Sequence, residues 1–320
     1  MAGAAWMIAL LATGCTKEGR PATGWEADPD AVRIEASVGT VTKTNPLGND
    51  EEQTKFNSGD KIAVAAVDNG AVKKTVKYQF DGTSWAPVAD ESGATDYLLW
   101  DTPVTFRSWY PAAASWDGFT LPQEQSGASG SLADADFMTW SAEYETIPEE
   151  ERKLSITMQR QMALVTIVID KIEDQYDYIK NPQFETVKIS SAHTSVKRQS
   201  DGTLAPEGNP CGIYAVKHEV DSKPAYSAIV TPGEAKKDVR FLFFYIRNGK
   251  DDIDHYVTGI PAAEAGKHYT YKLIVGKKTV KICGVTVENW TTGKLDGKFE
   301  AEVDNYSEWD GKKVTGNYYF

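Results

Sequence analysis

The sequence predicts an all-β protein made of two antiparallel β-sandwich halves, and three observations lead there. Apolar residues recur with a period of two along several stretches, Asn-Gly and Asp-Gly pairs punctuate those stretches, and no long amphipathic helical pattern separates them. The 320 residues include 34 Lys+Arg and 46 Asp+Glu, a formal charge of −12, and 41% are apolar. At roughly 100–200 residues per domain the chain holds about two cores. The apolar share excludes disorder, and 26 Gly with 14 Pro are too few for a collagenous or low-complexity chain. An acidic excess without a Lys/Arg block argues against nucleic-acid binding, because neutralising phosphates takes a basic face.

At the start, the run Ala4 to Ala12 is far short of the roughly 20 residues a spanning helix needs. It has the form of a signal-peptide core. The following Leu11-Ala12-Thr13-Gly14-Cys15 is similar to a bacterial lipobox, which assigns residues 1–14 to a signal peptide and lipidation to Cys15. The other account is a buried N-terminal helix with an incidental Cys. Thr16-Lys17-Glu18 fits either a signal for the outer face of the outer membrane or a solvated linker. Residues 15–30 lack periodicity and are expected to be a tether.

The strands follow. Val32, Ile34, Ala36 and Val38 alternate with polar residues, as do Val76, Tyr78 and Phe80, then Tyr269, Tyr271, Leu273 and Val275, then Phe299, Ala301 and Val303. Such spacing places one face of each strand on a core and the other in water. The continuous runs Leu164 to Ile169 and Val239 to Ile246 are expected to be central strands. Asn69-Gly70, Asp81-Gly82, Asp117-Gly118, Asp201-Gly202, Asn248-Gly249 and Asp296-Gly297 supply positive φ angles for tight turns. Short helices are expected near Thr146 to Arg152 and Ile172 to Ile179. The acidic segment Ile147 to Arg152 divides the halves, giving an N-terminal sandwich over 31–153, a C-terminal one over 154–303 and a tail over 304–320.

Catalytic chemistry finds no signature. His193, His218, His255 and His268 are scattered, without the close pairing of zinc ligands, and no nucleophile elbow or phosphate loop occurs. Neither a catalytic residue, a metal nor a cofactor is expected. Asp50, Glu51 and Glu52 lack the spacing of a calcium loop, and Glu149 to Glu151 form a solvated linker. Gly249-Lys250, Gly276-Lys277 and Gly311-Lys312 are expected at hairpin tips. After lipidation of Cys15, Cys211 and Cys283 remain and are expected to be buried thiols, with one bridge between them as the other outcome. Trp85, Trp100, Trp109, Trp116, Trp140 and Trp290 are expected in the core, the alternative being a glycan-stacking platform.

Four stretches resemble the fimbrillin-like family, the lipoprotein-derived type V pilins of Gram-negative bacteria. They are Lys55-Phe56-Asn57-Ser58-Gly59-Asp60-Lys61-Ile62-Ala63-Val64, then Phe106-Arg107-Ser108-Trp109-Tyr110-Pro111, then the strand Ala265 to Val275, then Val285-Thr286-Val287-Glu288-Asn289-Trp290. The resemblance implies two transthyretin-like sandwiches and assembly by strand exchange. A trypsin-like protease cuts after an Arg in the loop following the first strand, and a C-terminal strand of the next subunit fills the vacated groove. Here the family's Arg position is held by Lys43, so either a broader protease acts or the subunit stays uncut and lipid-anchored. The donor-strand candidate is the alternation Val314, Gly316, Tyr318 and Phe320, which could equally pack on its own domain.

The sequence therefore points to a structural subunit of surface fimbriae, anchored in the outer membrane through lipid on Cys15. Its partners are other fimbrial subunits and host or bacterial surface ligands. The alternatives are a glycan-binding surface lipoprotein and an envelope glycoside hydrolase with unassigned carboxylates.

Overall fold

The computed structural model describes residues 24–38, 47, 56–90, 92–127, 130–149, 152–173, 183–247, 252–276 and 279–290. Within these, the first half contributes β1 (Arg33–Val38), β2 (Lys61–Asp68), β3 (Ala71–Phe80), β4 (Trp85–Pro87), β5 (Val104–Tyr110), β6 (Gly118–Thr120), a one-turn helix α1 (Leu132–Ala135), β7 (Met138–Tyr144) and β8 (Lys153–Arg160). The second half contributes β9 (Ala163–Ile172), β10 (Gln183–Ser191), β11 (Ser195–Arg198), β12 (Leu204–Glu207), β13 (Cys211–Tyr214) and β14 (Val216–Val220). It continues with β15 (Lys223–Val230), β16 (Lys236–Arg247), β17 (Asp252–Ile260), β18 (Lys267–Val275) and β19 (Val280–Asn289). The all-β expectation holds.

Seven strands of the first half form one sheet in the order β1-β8-β7-β5-β2-β3-β4, curled so that β1 approaches β4. The β2–β3 hairpin turns on Asn69-Gly70, with φ of 49° and 80°, the left-handed pair that a two-residue turn demands. Alternation works as predicted on β3, where Val76 and Tyr78 are buried and Thr75 and Lys77 are exposed. Ile62, Val64, Val76, Tyr78, Trp85, Phe106, Leu154, Ile156 and Met158 share one hydrophobic core. On β2 both faces are covered, because Ala63, Ala65 and Val67 belong to a second core, together with Leu121, Leu132, Phe137 and the second half.

In the second half, the sheets β13-β10-β16-β17 and β14-β15-β9-β18-β19 enclose that second core. The continuous apolar runs do become central strands: β9 lies between β15 and β18, and β16 between β10 and β17. Most pairs are antiparallel, with β1–β8 and β9–β18 parallel.

A three-stranded sheet, β12-β11-β6, ties the halves together. Its closeness explains Gly118: this residue is no positive-φ turn glycine, but a Cβ there would lie 2.5 Å from the Val196 carbonyl oxygen. Buried Gln125 adds a second tie, donating to the Ile229 carbonyl at 3.0 Å and accepting from the Ile229 amide at 2.8 Å. A third is made by Arg160 at the end of β8. Its Nε donates to both oxygens of Asp136 and its Nη1 to the Trp290 carbonyl at 3.2 Å, while its guanidinium carbon lies 4.4 Å from the Trp290 ring centroid.

Several expectations need correction. The boundary expected near residue 153 falls at the first residue of β8, a strand that pairs with β1 and β7 in the seven-stranded sheet. The alternation of Leu154, Ile156 and Met158 suits either half, and its partner β1 lies some 120 residues earlier, beyond the reach of local pattern. Thr146 to Glu149 run as bend and turn with no helix; of the segment Ile172 to Ile179, Ile172 ends β9 and residues 174–179 lie outside the described residues. Cys211 is buried but Cys283 is exposed, because it faces outward near the middle of edge strand β19, and both are free thiols. Within the expected tether, Gly24–Glu26 form a 3-10 turn, and Ala31 and Val32, which follow it, are fully buried.

Candidate assembly site

The first strand of each half meets its sheet differently, and the difference locates the site. From Ala163 to Ile169, β9 is at most 4% exposed and is paired on both sides. By contrast, among the described residues β1 is an edge strand with a single ladder, onto β8, in parallel register from Arg33↔Lys153 to Val38↔Met158. Val32 and Ile34 of this segment are 0% and 8% exposed, Ala36 is half-buried, and Glu35 and Ser37 face solvent. Burying Val32 and Ile34 contributes about 1.5–3 kcal/mol each.

The dependence is mutual. The ladder of β8 with β7 takes in only Met138–Arg160 and Thr139–Gln159 among the described residues, whereas β1 covers six consecutive β8 positions. Without β1, the backbone of Lys153–Met158 loses its cross-strand partners, and Leu154, Ile156 and Met158 form the floor of an open apolar groove. An orphaned row of backbone groups beside an apolar groove is what an added strand satisfies.

The segment ahead of β1 is bound separately. The Val32 amide donates to the Leu98 carbonyl at 2.8 Å, and the Trp100 amide to the Asp30 carbonyl at 2.9 Å. The Tyr97 hydroxyl donates to Asp28 at 2.9 Å. Arg152, in a left-handed conformation with φ of 49°, reaches from the turn before β8 to the Pro29 carbonyl at 2.9 Å and to Asp30 at 2.6 Å.

Of the site residues expected from sequence, Cys15, Lys43, Val314, Gly316, Tyr318 and Phe320 lie outside the described residues, as do Asp50 to Glu52, the Asn248-Gly249 and Asp296-Gly297 turns and the strand with Phe299, Ala301 and Val303. The glycan-platform alternative can be weighed ring by ring. Trp100 makes edge contacts with Phe106 and Tyr144 at 5.2 and 5.4 Å, and Trp85 with Phe56 at 4.9 Å. Trp116 has Arg198 at 3.8 Å and Arg107 at 5.4 Å from its ring centre, and Trp290 carries Arg160. These rings face packing partners and not an open surface.

Sequence spacing missed one polar arrangement. His218, Ser227, Thr166 and His268 form a row across β14, β15, β9 and β18, linked at 2.8, 2.7 and 2.8 Å. Only strand pairing could bring them together. A Ser-His contact invites comparison with a catalytic dyad. Yet the Ser227 side chain is fully buried and bound to Thr166, so no substrate carbonyl can reach it. Burial pushes the His268 pKa down to about 4, with His218 adding to the effect, and burial lowers His218 as well. Among the described residues, no group of three or more His, Cys, Asp or Glu is placed to hold a metal ion.

Among the described residues, the first sheet ends in an edge strand, β1, and the Ser227–Thr166 pair is sealed from solvent. The family profile described as fimbrillin-like matches residues 42–290, so the chain belongs to the fimbrillin-like family. The match begins four residues beyond β1 and ends at Trp290. A proposed cell adhesion protein from Bacteroides uniformis is similar in structure, with 18% identity, TM-score 0.53, and coverage of 82% of this chain and 98% of that one. One from Bacteroides ovatus gives 14% identity, TM-score 0.56 and coverage of 82% and 99%. The tip fimbrial protein Mfa3 from Porphyromonas gingivalis, in a C-terminally truncated form, gives 9% identity, TM-score 0.42 and coverage of 81% and 99%. At identities of 18% and 14%, the first two likenesses speak for the fold alone. No curated protein matches the chain.

Proposed function

We propose that this protein is a fimbrial subunit that assembles by strand exchange at the β1 groove and supports adhesion. The observation that carries this is the edge position of β1, whose single parallel ladder is also the main backbone pairing of β8. In this scheme Cys15 carries the lipid that delivers the subunit to the outer surface of the outer membrane. The loop holding Lys43 is the place of proteolytic maturation, and the alternation Val314, Gly316, Tyr318 and Phe320 is the donor strand for a neighbouring subunit's groove. No reaction chemistry is assigned to the chain.

Deleting Asp304 to Phe320 tests the exchange: the truncated protein folds with unchanged thermal stability and forms no polymer after maturation. Polymers of normal length from the truncated protein would reject this tail as the donor. For the anchor, Cys15→Ala removes the thiol that receives the lipid, and the variant then leaves the membrane fraction; equal membrane attachment would reject lipidation at Cys15.

A further inference from the structure

We infer that residues 24–32 are a latch that keeps β1 seated after the loop behind it has been cut, so that release of the first strand is controlled by the latch and not by the cut itself. This rests on the strand-exchange function proposed above. The β1–β8 ladder alone is a short parallel edge, the kind of pairing that frays. Ahead of it, however, the chain is fastened to two separate parts of the first half. The 97–100 segment holds it by two backbone bonds, Val32 to Leu98 and Trp100 to Asp30, and by the Tyr97–Asp28 bond. The turn before β8 holds it through Arg152, which grips the Pro29 carbonyl and the Asp30 carboxylate. The segment also folds on itself: Arg33 donates to the Glu26 carbonyl at 3.1 Å and lies 5.9 Å from the Trp25 ring centre.

Arg152 is the bolt of this device. A side-chain-bearing residue with φ of 49° is held there only where its surroundings over-determine it. Here the same twist aims its carbonyl at the Trp100 indole, which donates to it at 3.0 Å, while the guanidinium points back to residues 29 and 30. Trp100 is thereby shared: its amide holds the latch and its ring nitrogen holds the bolt. All these contacts lie on the N-terminal side of β1, whereas the expected cut lies on its C-terminal side. A cut near Lys43 therefore severs none of them, and the body stays attached to the Cys15-bearing peptide.

The experiment uses the full chain with a site-specific protease sequence inserted between Thr42 and Lys43. After cutting, gel filtration and mass spectrometry report how long the N-terminal peptide stays with the body. The wild-type peptide is expected to co-elute. Arg152→Ala combined with Tyr97→Phe is expected to lose it about tenfold faster, since it removes the Arg152 bonds to the Pro29 carbonyl and the Asp30 carboxylate and one partly buried hydrogen bond. Arg152→Lys, which keeps the charge but not the planar guanidinium, serves where the double variant fails to fold, and its peptide is expected to leave faster than the wild type's. The uncut variants keep the wild-type melting temperature within a few degrees if the effect is on the latch and not on the whole half. Equal peptide loss from cut wild type and variants, or immediate loss from both, overturns the latch. A second arm adds a synthetic peptide of residues 304–320. If the wild type retains its strand, the variants release it and the peptide never enters the groove, the latch stands and strand exchange through this tail falls. If the peptide displaces β1 equally fast from all forms, exchange stands and the latch falls.

Discussion

Arg160 and Asp136 form an ion pair that is sealed from solvent, with side-chain exposures of 1% and 0% and Nε at 3.1 and 2.9 Å from the two carboxylate oxygens. Burial raises the Asp136 pKa to about 6, with the adjacent guanidinium pulling it back toward the ionised form. Breaking such a pair from one side leaves an uncompensated charge in the interior. Arg160→Met is therefore expected to cost about 3–5 kcal/mol in urea unfolding, and Arg160→Met with Asp136→Leu to regain most of that loss. If the double variant is no more stable than the single one, the cost arises elsewhere, at the Trp290 carbonyl and ring.

The histidine row gives the protein an acid-sensitive core. In the folded state His268 takes up a proton only near pH 4, whereas in the unfolded chain it does so near pH 6.5. Its contribution to stability is thus complete above pH 6.5 and declines as the pH falls toward 4. The expected loss across that window is about 1–3 kcal/mol, the lower end reflecting the ring's remaining contact with solvent. His268→Gln should flatten the slope in urea unfolding measured at pH 7 and pH 4.5; an unchanged slope would assign the acid sensitivity to other groups.

On β1 the two faces should respond differently. Ile34→Ala removes a buried side chain above Leu154 and is expected to cost about 2–3 kcal/mol. Glu35→Ala, one residue along and facing solvent, should stay within about 0.5 kcal/mol. Thermal unfolding of both variants checks the contrast, and equal effects would mean that β1 is not packed as described.

Gly118→Ala probes the joint between the halves. The added methyl would press on the Val196 carbonyl at 2.5 Å, and since both are backbone groups on paired strands, neither can rotate away. The expected cost is about 1–3 kcal/mol, read by chemical denaturation. A neutral result would show that β6 can shift on β11 without loss.

Much of this architecture is legible in the chain because period-two alternation and apolar runs are local. Val76, Tyr78, Tyr269, Tyr271 and Leu273 all fall where their spacing puts them, and the runs in β9 and β16 become central strands. What escaped is whatever depends on which strand lies beside which. The parallel partnership of β1 with β8 was out of reach of local pattern, and the same non-locality hid the His218–Ser227–Thr166–His268 row and the Arg152 contacts to Pro29 and Asp30. Gly118 has the residue type of a turn but the environment of a close backbone crossing, and sequence does not separate the two. The resemblance carried by Phe56 to Val64 and by Gly266 to Val275 reached the family because each stretch runs into a strand, from Lys61 and from Lys267, whose buried residues must repeat.

The parallel direction of β1 and β8 also decides how the molecule bears tension. A subunit held by a lipid ahead of β1 is pulled at the start of that strand. The last described residue, Trp290, is fastened to Arg160 at the far end of β8. Force between those two points stretches neighbouring strands from opposite ends, so the rungs from Arg33–Lys153 to Val38–Met158 slide against one another and share the strain instead of opening one at a time.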